Sequence, residues 1–448
     1  MIKYRAFQLI VTLMMITFSQ AQEKKFARVI LIGIDGMSVN VISPLLNKGL
    51  LPNISKLLQT GGQGELDSFW PLRTMQVWTS IATGKLPGQH GIWDHAKHSN
   101  FNPEKIRSKK KGYYYSNDRK CKAIWHLLGD NGISNTFIGW TTTWPAESIN
   151  NGIMVAPKVL YGDERSTTIK GSFWKHVKET VTPVEYESIV KQNIVEPHNV
   201  SDKDLELLAS IPEEKSPLYN LPKIKQYVYT LRWGFARAKS IEKITLALFK
   251  KNPTDVVSFY FQGTDSYLHR FWIFQKNEDE IIKRLKQFNI DKKYAPLLKK
   301  HFGNVVANCY REVDQRIGRI LDEIMGSNTL VILVSDHGFG DGPKERHPFS
   351  AEPYGGIHWS KAMIIASGST IKNGTVIKNA SVLDIVPSLL HYFQLPVAKD
   401  MPGKILKDLF NASHQLQKPA EIIESYEKEP QFEVPFNEYH ITPKTFIW

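Results

Sequence analysis

Carboxylates and imidazoles recur near the ends of short apolar runs in this 448-residue sequence. Asp35, Asp265, Asp336 and His337 have this placement, and two further histidines, His269 and His358, lie within reach of them in sequence. A single aspartate after a strand is usually a helix cap or a turn former. Several such residues together with histidines indicate a functional site instead. Mixed carboxylate and imidazole ligands suit zinc better than magnesium or calcium.

The apolar runs that precede these residues predict the strands of a sheet. The run 28–34 is rich in β-branched and other apolar residues, which is typical of a central strand covered on both faces. Similar runs, separated by several helical patterns, recur at 135–139, 256–261, 329–335 and 362–366. This alternation predicts an α/β sandwich with a mainly parallel central sheet flanked by helices. Ligands of such sheets bind beyond the carboxyl ends of the strands, so the six residues are expected at one rim.

The first 21 residues form a pattern typical of a cleaved secretory signal peptide. Lys3 and Arg5 precede an apolar run from Ala6 to Phe18, and a small-x-small pattern ends at Ala21. An uncleaved membrane anchor needs about 18 or more apolar residues, and this run is shorter. We therefore expect an exported chain, periplasmic or secreted, with no membrane span after cleavage.

The rest of the chain divides into one large domain and a tail. Residues 22–410 carry the predicted sheet. Within them, residues 144–253 contain helical stretches but no convincing core strand, which predicts a mostly helical insertion or cap. Residues 411–448 are rich in glutamate and proline, so we expect them to lie on the surface or to be partly mobile.

Composition limits the classes of protein and of partner. Hydrophobic residues make up 42% and charged residues 23%, a globular profile that excludes fibrous, disordered and multispanning chains. The formal net charge of +13 favours an anionic substrate. The basic runs 107–111 and 299–300 are not accompanied by a nucleic-acid-binding motif. An exported chain permits a disulfide, but Cys121 and Cys309 are far apart in sequence, and their pairing stays open.

The segment 73–92 resembles the nucleophile region of the type I phosphodiesterase/nucleotide pyrophosphatase family of the alkaline phosphatase superfamily. In that family a threonine opens a helix that runs to a Thr-Gly pair, followed by a proline and then by His-Gly-Ile. The matching residues here are Thr74, Thr83-Gly84, Pro87 and His90-Gly91-Ile92. Four further motifs lie in the family's order, one before this segment at 34–36 and three after it at 263–269, 335–338 and His358. The resemblance extends from about residue 28 to residue 410.

This resemblance implies an alkaline-phosphatase-like sandwich with two divalent metal ions, most often zinc. Carried over by position, Asp265, His269 and His358 would bind one ion. Asp35, Thr74, Asp336 and His337 would bind the other. Thr74 would be the nucleophile, activated by a metal and placed at a helix N-terminus that favours the phosphate. The implied protein is an exported phosphodiesterase or nucleotide pyrophosphatase-like hydrolase that acts on a small phosphate ester through a phosphothreonine.

Substrate contacts are less well defined by the resemblance. Animal members usually carry an asparagine after His-Gly-Ile, and the corresponding residue here is His95, which puts nucleotide specificity in doubt. His95, Trp93 and Tyr267 are candidate substrate-binding residues, with a loop role or core packing as their alternative. The organic part of the substrate and the oligomeric state are not encoded in any motif.

Two other enzyme classes and one non-enzyme class compete with the phosphodiesterase. A sulfatase needs a Cys/Ser-x-Pro-x-Arg setting, which residues 74–78 do not supply. A phosphomonoesterase or phosphotransferase on the same scaffold would need extra cationic groups for a dianionic phosphate, and no motif identifies them. A non-catalytic binding protein is disfavoured because all seven implied ligand positions hold side chains that can bind a metal.

Overall fold

The computed structural model describes residues 27–94, 96–98, 110–160, 173, 177–341, 354–411 and 419–427. Its strands are β1 (Val29–Ile34), β2 (Gly61–Asp67), β3 (Ala96–His98), β4 (Lys110–Tyr113), β5 (Asn135–Ile138), β6 (Gly152–Val155), β7 (Val181–Thr182), β8 (Val256–Phe261), β9 (Leu330–Val334), β10 (Gly338–Gly340), β11 (Ile357–Trp359), β12 (Lys361–Ser367), β13 (Val376–Ser381), β14 (Val397–Ala398) and β15 (Ile422–Ile423). The predicted signal peptide, residues 1–21, lies outside the described residues.

The α-helices of the described ranges alternate with these strands. They are α1 (Val39–Asn47), α2 (Pro52–Gln59), α3 (Thr74–Thr83), α4 (Pro87–His90), α5 (Ile124–Asp130), α6 (Glu187–Gln192), α7 (Asp202–Glu206), α8 (Ile224–Lys251), α9 (Gly263–Phe271), α10 (Glu278–Gln287), α11 (Ala295–Phe302), α12 (Val305–Ile324) and α13 (Ile385–Tyr392). No helix in the described ranges has the length and apolar content that a membrane span requires.

Nine of the described strands form one sheet, in the order β13, β2, β12, β9, β1, β8, β5, β6, β7. The five strands from β9 to β6 in this order are parallel to one another. β12 is antiparallel to both of its neighbours, and β7 is antiparallel to β6. The sheet is therefore mainly parallel, as the apolar runs predicted.

Helices cover both faces of this sheet, which explains why its central strands are apolar throughout. Along β1, Ile30, Ile32 and Ile34 pack into one core cluster, together with residues of α1, α2 and α8 to α12. Val29 and Leu31 point to the opposite cluster, which α3, α5 and α13 complete. Successive side chains of a strand face opposite sides of a sheet. Helix α3, which begins with Thr74, thus lies on one face, while α9, which follows β8, lies on the other.

The region 144–253 is not purely helical, and the prediction that it lacks a core strand is wrong. All four residues of β6 are buried, and β6 pairs in parallel with β5 inside the central sheet. β7 then extends the sheet by two residues. The 28-residue helix α8 accounts for the helical pattern. The sequence of β6, GIMV, is a short apolar run like that of β5, but it was overlooked because the longer helical patterns of this region dominate the sequence around it.

The cysteines and part of the tail also have defined places. Cys121 and Cys309 are both free and buried, so they form no disulfide in this structure. Burial raises the pKa of Cys121 to about 12, which makes this thiol inert at neutral pH. Within the tail, β15 pairs with β14, and the Ser425 hydroxyl donates to the Asp400 carboxylate over 2.6 Å. Residues 419–427 therefore lie against the domain surface.

Helix α2 receives its N-terminal cap from another helix. Its own N-cap residue, Leu51, makes no side-chain cap bond. Instead the carboxylate of Asp314, on α12, accepts from the backbone N–H groups of Asn53 (3.2 Å) and Ile54 (2.8 Å). A carboxylate in this position satisfies N–H groups that the first helical turn leaves without partners.

Replacing Asp314 with alanine should lower the free energy of unfolding by about 1–3 kcal/mol, because it leaves buried N–H groups unpaired. Urea unfolding followed by circular dichroism measures this change. Asp322→Ala is the control, since Asp322 is an exposed aspartate of the same helix and surface substitutions usually cost little. Equal stability losses in both variants would show that the cap contributes nothing specific.

Candidate active site

The carboxyl ends of β1 and β9 bring together three of the six predicted residues. Asp35 directly follows β1, and Asp336 and His337 follow β9, which is the parallel neighbour of β1. The Nε2 atom of His337 lies 3.3 Å from Oδ1 of Asp35 and 3.3 Å from Oδ2 of Asp336. All three side chains are completely buried. The parallel register of β1 and β9 thus places two carboxylates on one imidazole nitrogen.

The other three predicted residues form the adjoining half of the cluster. Asp265 and His269 are four residues apart on α9, and Oδ1 of Asp265 lies 3.2 Å from Nε2 of His269, as the helical spacing predicted. His358 comes from β11, and its Nε2 lies 3.1 Å from Oδ1 of Asp265 and 2.7 Å from Nε2 of His269. The helix α9 and the strand β11 therefore bring two imidazoles to one carboxylate oxygen.

His337 joins the two halves. Its ring stacks on the ring of His358 with 3.6 Å between centroids, and its Nε2 lies 4.0 Å from Oδ1 of Asp265. Asp265, His337 and His358 form one group of ligand atoms that are mutually within 4.8 Å, and Asp35, Asp336 and His337 form another. The cluster is therefore continuous, with two neighbouring positions where three or more ligand atoms meet.

The donor set fits metal ions, because three of its buried ligand atoms have no hydrogen-bond partner among the described residues. These atoms are Oδ1 of Asp35, Oδ2 of Asp336 and Nε2 of His337. Such atoms are rare in folded proteins unless a water or an ion completes them. They mark the position that the resemblance assigns to one of the two ions.

The two stacked histidines are oriented for metal binding by backbone carbonyls. Nδ1 of His358 donates to the carbonyl of Leu72 over 2.8 Å, and Nδ1 of His337 donates to the carbonyl of Gly338 over 3.0 Å. In the neutral tautomer this leaves the Nε2 lone pair of each ring directed into the cluster. Metal-binding histidines usually have this arrangement.

Without a metal, the negative charge of the cluster is balanced by protons. Burial and the neighbouring Asp35 carboxylate raise the pKa of Asp336 well above its ordinary value. Burial alone would lower the pKa of His337, but Asp336 and Asp35 raise it to about 10. For Asp265, burial is outweighed by His269 and His358, which hold its pKa well below the usual range. A cation between Asp35 and Asp336 would replace the proton on His337.

Thr74 is the first residue of α3, so its position at a helix N-terminus agrees with the sequence-based expectation. The residue is 5% exposed. The carbonyl of Leu72, two residues earlier, accepts the hydrogen bond from His358, which ties the start of this helix to the cluster. The assignment of Thr74 as nucleophile and seventh ligand stays a prediction.

The three predicted substrate-binding residues differ in where the structure places them. His95 lies outside the described residues. Trp93 is partly exposed. With the side-chain amide of Gln76, on α3, oriented so that its nitrogen faces acceptors, this nitrogen donates to the backbone oxygen of Trp93 over 2.7 Å. Tyr267 is only 4% exposed, and its hydroxyl donates to the carbonyl of Leu231 on α8. The side chain of Tyr267 thus has the core-packing role that was the alternative for this residue.

One cavity next to α9 is too small to hold a large organic group. It has a volume of about 40 Å³ and lies between α8, α9 and α12, where Arg237, Tyr267 and Glu312 are among its lining residues. Ligand pockets for drug-sized molecules occupy roughly 300–1,000 Å³. The cavity can accommodate water or a small group only.

Two residues that hold Asp35 were not among the predicted site residues. The hydroxyl of Tyr260, on β8, donates to Oδ2 of Asp35, and the hydroxyl of Thr264 donates to its backbone carbonyl over 2.6 Å. Tyr310, on α12, donates to the carbonyl of Gly36 over 3.0 Å. The available clue was the hydroxyl of Tyr260, which lies in the largely apolar run 256–261, five residues before Asp265.

The fold and the cluster define an α/β protein with a carboxylate and imidazole centre at the carboxyl ends of its strands. A family model described as type I phosphodiesterase/nucleotide pyrophosphatase matches residues 29–383. The chain therefore belongs to this family of phosphoester hydrolases. The predicted resemblance is confirmed, and so is the predicted α/β sandwich with a mainly parallel central sheet flanked by helices.

Several solved structures are similar to this chain, each with a TM-score below 0.5. An inactive form of murine ectonucleotide pyrophosphatase/phosphodiesterase 5 in complex with AMP is 12% identical, with 86% of this chain and 100% of that chain covered and a TM-score of 0.48. The human protein of the same name is 13% identical over 86% and 100%, with a TM-score of 0.47. Phosphonoacetate hydrolase from Sinorhizobium meliloti 1021, in complex with phosphonoacetate, is 14% identical over 72% and 58%, with a TM-score of 0.38. No curated protein matches the sequence.

Proposed function

We propose that this chain is an exported two-metal phosphodiesterase that acts through a phosphothreonine at Thr74. The observation that carries the proposal is the convergence of three aspartates and three histidines near the start of α3. Three of the six are fully buried and have unpaired ligand atoms. Asp265, His269 and His358 would hold one ion, and Asp35, Asp336, His337 and Thr74 the other. Zinc is the ion that this donor set fits best.

When bound, two such ions supply positive charge that stabilises the attacking and leaving oxygens of a phosphoryl transfer. The chain itself positions the reactants. The first turn of α3 presents backbone N–H groups and the positive end of the helix dipole to a phosphate oxygen. Because Thr74 begins that helix, its hydroxyl is held close to the same phosphate.

The proposed reaction has two displacements. In the first, a bond forms between Oγ of Thr74 and phosphorus while the bond from phosphorus to the first alkoxy or aryloxy group breaks. The hydroxyl of Thr74 loses its proton, and the leaving group departs as an alcohol or phenol. In the second, water attacks the phosphothreonine, which restores the hydroxyl of Thr74 and releases a phosphate monoester. The net reaction consumes one water molecule per diester.

Export is part of the proposal and rests on the pattern of residues 1–21. A cleaved leader would deliver the chain to a periplasm or to the outside of the cell. The free state of Cys121 and Cys309 is compatible with this, because both thiols are buried away from an oxidant.

Diester hydrolysis should exceed monoester hydrolysis when kcat/KM is compared on matched aryl substrates. We expect the zinc-loaded protein to prefer bis(p-nitrophenyl) phosphate over p-nitrophenyl phosphate by about tenfold or more. The reason is that a dianionic monoester needs additional cationic groups, for which the sequence has no motif. A monoester preference of similar size would support the phosphomonoesterase alternative. Absence of turnover on both substrates by a chain that binds two metals would contradict the assignment to this reaction class.

A further inference from the structure

We propose that Tyr260 is a positioning residue of the metal centre, which fixes Asp35 so that one carboxylate oxygen faces the cluster. The inference rests on the proposed function, since it concerns the same centre, and it assigns a role to a residue outside the predicted ligand set. The hydroxyl of Tyr260 donates to Oδ2 of Asp35. The other oxygen, Oδ1, has no hydrogen-bond partner in the described residues and lies 3.3 Å from Nε2 of His337.

The two carboxylate oxygens of Asp35 therefore differ in their surroundings: Oδ2 accepts from Tyr260, and Oδ1 faces the cluster. A carboxylate that can rotate offers either oxygen, or both, to a cation. Here rotation would break the bond from Tyr260, because the carboxylate is fully buried and the hydroxyl approaches from one side only. The backbone of Asp35 is held as well, since the hydroxyl of Thr264 donates to its carbonyl. Outer partners of this kind orient ligands and typically raise metal affinity.

The ring of Tyr260 is itself locked in place. Its centroid lies 4.7 Å from that of Trp78, which is on α3 one turn after Thr74. Gly33 is the register partner of Tyr260 on β1, and a Cβ atom there would come within 3.0 Å of both aromatic rings. Only glycine leaves room for this contact between strand and helix. Tyr260 thus connects the helix that starts with Thr74 to a ligand of the metal centre.

A purely structural explanation of the bond between Tyr260 and Asp35 is that every buried hydroxyl needs a hydrogen-bond acceptor, whichever group provides it. Tyr310 provides the comparison, because its buried hydroxyl is also next to the cluster but donates to the backbone carbonyl of Gly36. The two tyrosines therefore differ in the acceptor and not in burial. If Tyr260 merely satisfies its own hydroxyl, the two phenylalanine variants should bind metals alike.

The test compares Tyr260→Phe with Tyr310→Phe by zinc titration in competition with a chelator of known affinity. Phenylalanine keeps the ring that packs on Trp78 and removes only the donor to Asp35. We expect the affinity for one of the two ions to fall about 10- to 100-fold in Tyr260→Phe and to stay at the wild-type value in Tyr310→Phe. Activity of Tyr260→Phe should be low at limiting zinc and should recover as zinc is raised, with a KM for substrate close to that of the wild type.

The other outcomes of the titration would each contradict the proposed role of Tyr260. Two unchanged affinities in Tyr260→Phe, with two ions bound by the wild type, would overturn the role of Tyr260 and leave the proposed function intact. Equal losses in both variants would show a general effect of removing a buried hydroxyl and would also overturn it. A wild-type chain that binds no metal would overturn the proposed function, and the role of Tyr260 with it.

Discussion

Thr74→Ala is expected to reduce turnover by about three orders of magnitude or more, the scale of loss seen when a covalent nucleophile is removed. The hydroxyl of Thr74 supplies the attacking oxygen of the proposed reaction, and alanine has no substitute for it. The three aspartates and three histidines are untouched by the change, so the fold and most of the bound metal should remain. Steady-state rates, metal content and thermal unfolding together measure these effects.

Two further variants make this result specific. Thr74→Ser keeps a hydroxyl at the helix start and should retain substantial activity. Thr79→Ala removes another buried threonine hydroxyl of α3, which donates to the carbonyl of Met75 over 2.6 Å, and should stay active. If Thr79→Ala were as impaired as Thr74→Ala, disturbance of the helix would explain both losses.

The covalent step can be observed directly by rapid acid quenching with labelled substrate and peptide mapping. Label on the peptide that contains Thr74, absent in Thr74→Ala, is the expected result. A mechanism in which water attacks phosphorus directly predicts that no label is trapped and that Thr74→Ala loses little activity. That pair of observations would reject the phosphothreonine.

The central strands were predictable because each is buried on both faces and therefore apolar over its whole length. The run 256–261 coincides with β8, and the run 329–335 exceeds β9 by one residue at each end. The spacing of Asp265 and His269 predicted a shared helical face, which α9 provides. Parallel strands end at the same rim, so these local patterns were sufficient to bring distant residues together.

The edge of the sheet was not predictable in this way. β2 has the sequence GGQGELD, which lacks the apolar and β-branched residues that indicate a strand. Its glycines are explained by neighbouring backbone instead. A Cβ atom on Gly64 would lie 2.4 Å from the carbonyl oxygen of Ile377 on β13. This contact depends on a strand more than 300 residues away, and no local pattern contains it.

Side-chain partners were the other element that sequence patterns could not supply. Tyr267, next to Asp265 on α9, was a candidate for substrate contact, yet its hydroxyl is directed to Leu231 on α8. Tyr260 was part of an apolar run, yet its hydroxyl reaches Asp35. The direction in which a tyrosine side chain points depends on how strands and helices pack against one another. The sequence patterns do not contain that packing.

Replacing Asp336 with asparagine is expected to remove about one equivalent of metal and to lower turnover by orders of magnitude. Asparagine has nearly the same shape, so the change mainly removes the charge of a buried side chain whose Oδ2 faces Nε2 of His337 at 3.3 Å. Metal analysis after dialysis, with rates at fixed zinc, measures both effects. His358→Ala should release the other ion, since His358 meets Asp265 and His269 and not Asp35.

The matched control is Asp314→Asn, which alters an equally buried aspartate that caps α2 instead of facing the cluster. It should bind two ions at temperatures where it remains folded. Two bound ions and full activity in Asp336→Asn would rule out its role as a ligand.

Thermal unfolding tests the role of Asp336 independently of metal analysis and turnover. Without metal, burial and the Asp35 carboxylate raise the pKa of Asp336, which means that its charged form is disfavoured there, and a neutral asparagine does not have this cost. In chelator, Asp336→Asn should therefore unfold at a temperature no lower than the wild type. With zinc, the wild type should gain more in Tm than the variant, because ligand binding stabilises only the state that holds the complete site. A purely structural role for Asp336 predicts the opposite pattern, with a lower Tm in chelator and the same gain from zinc.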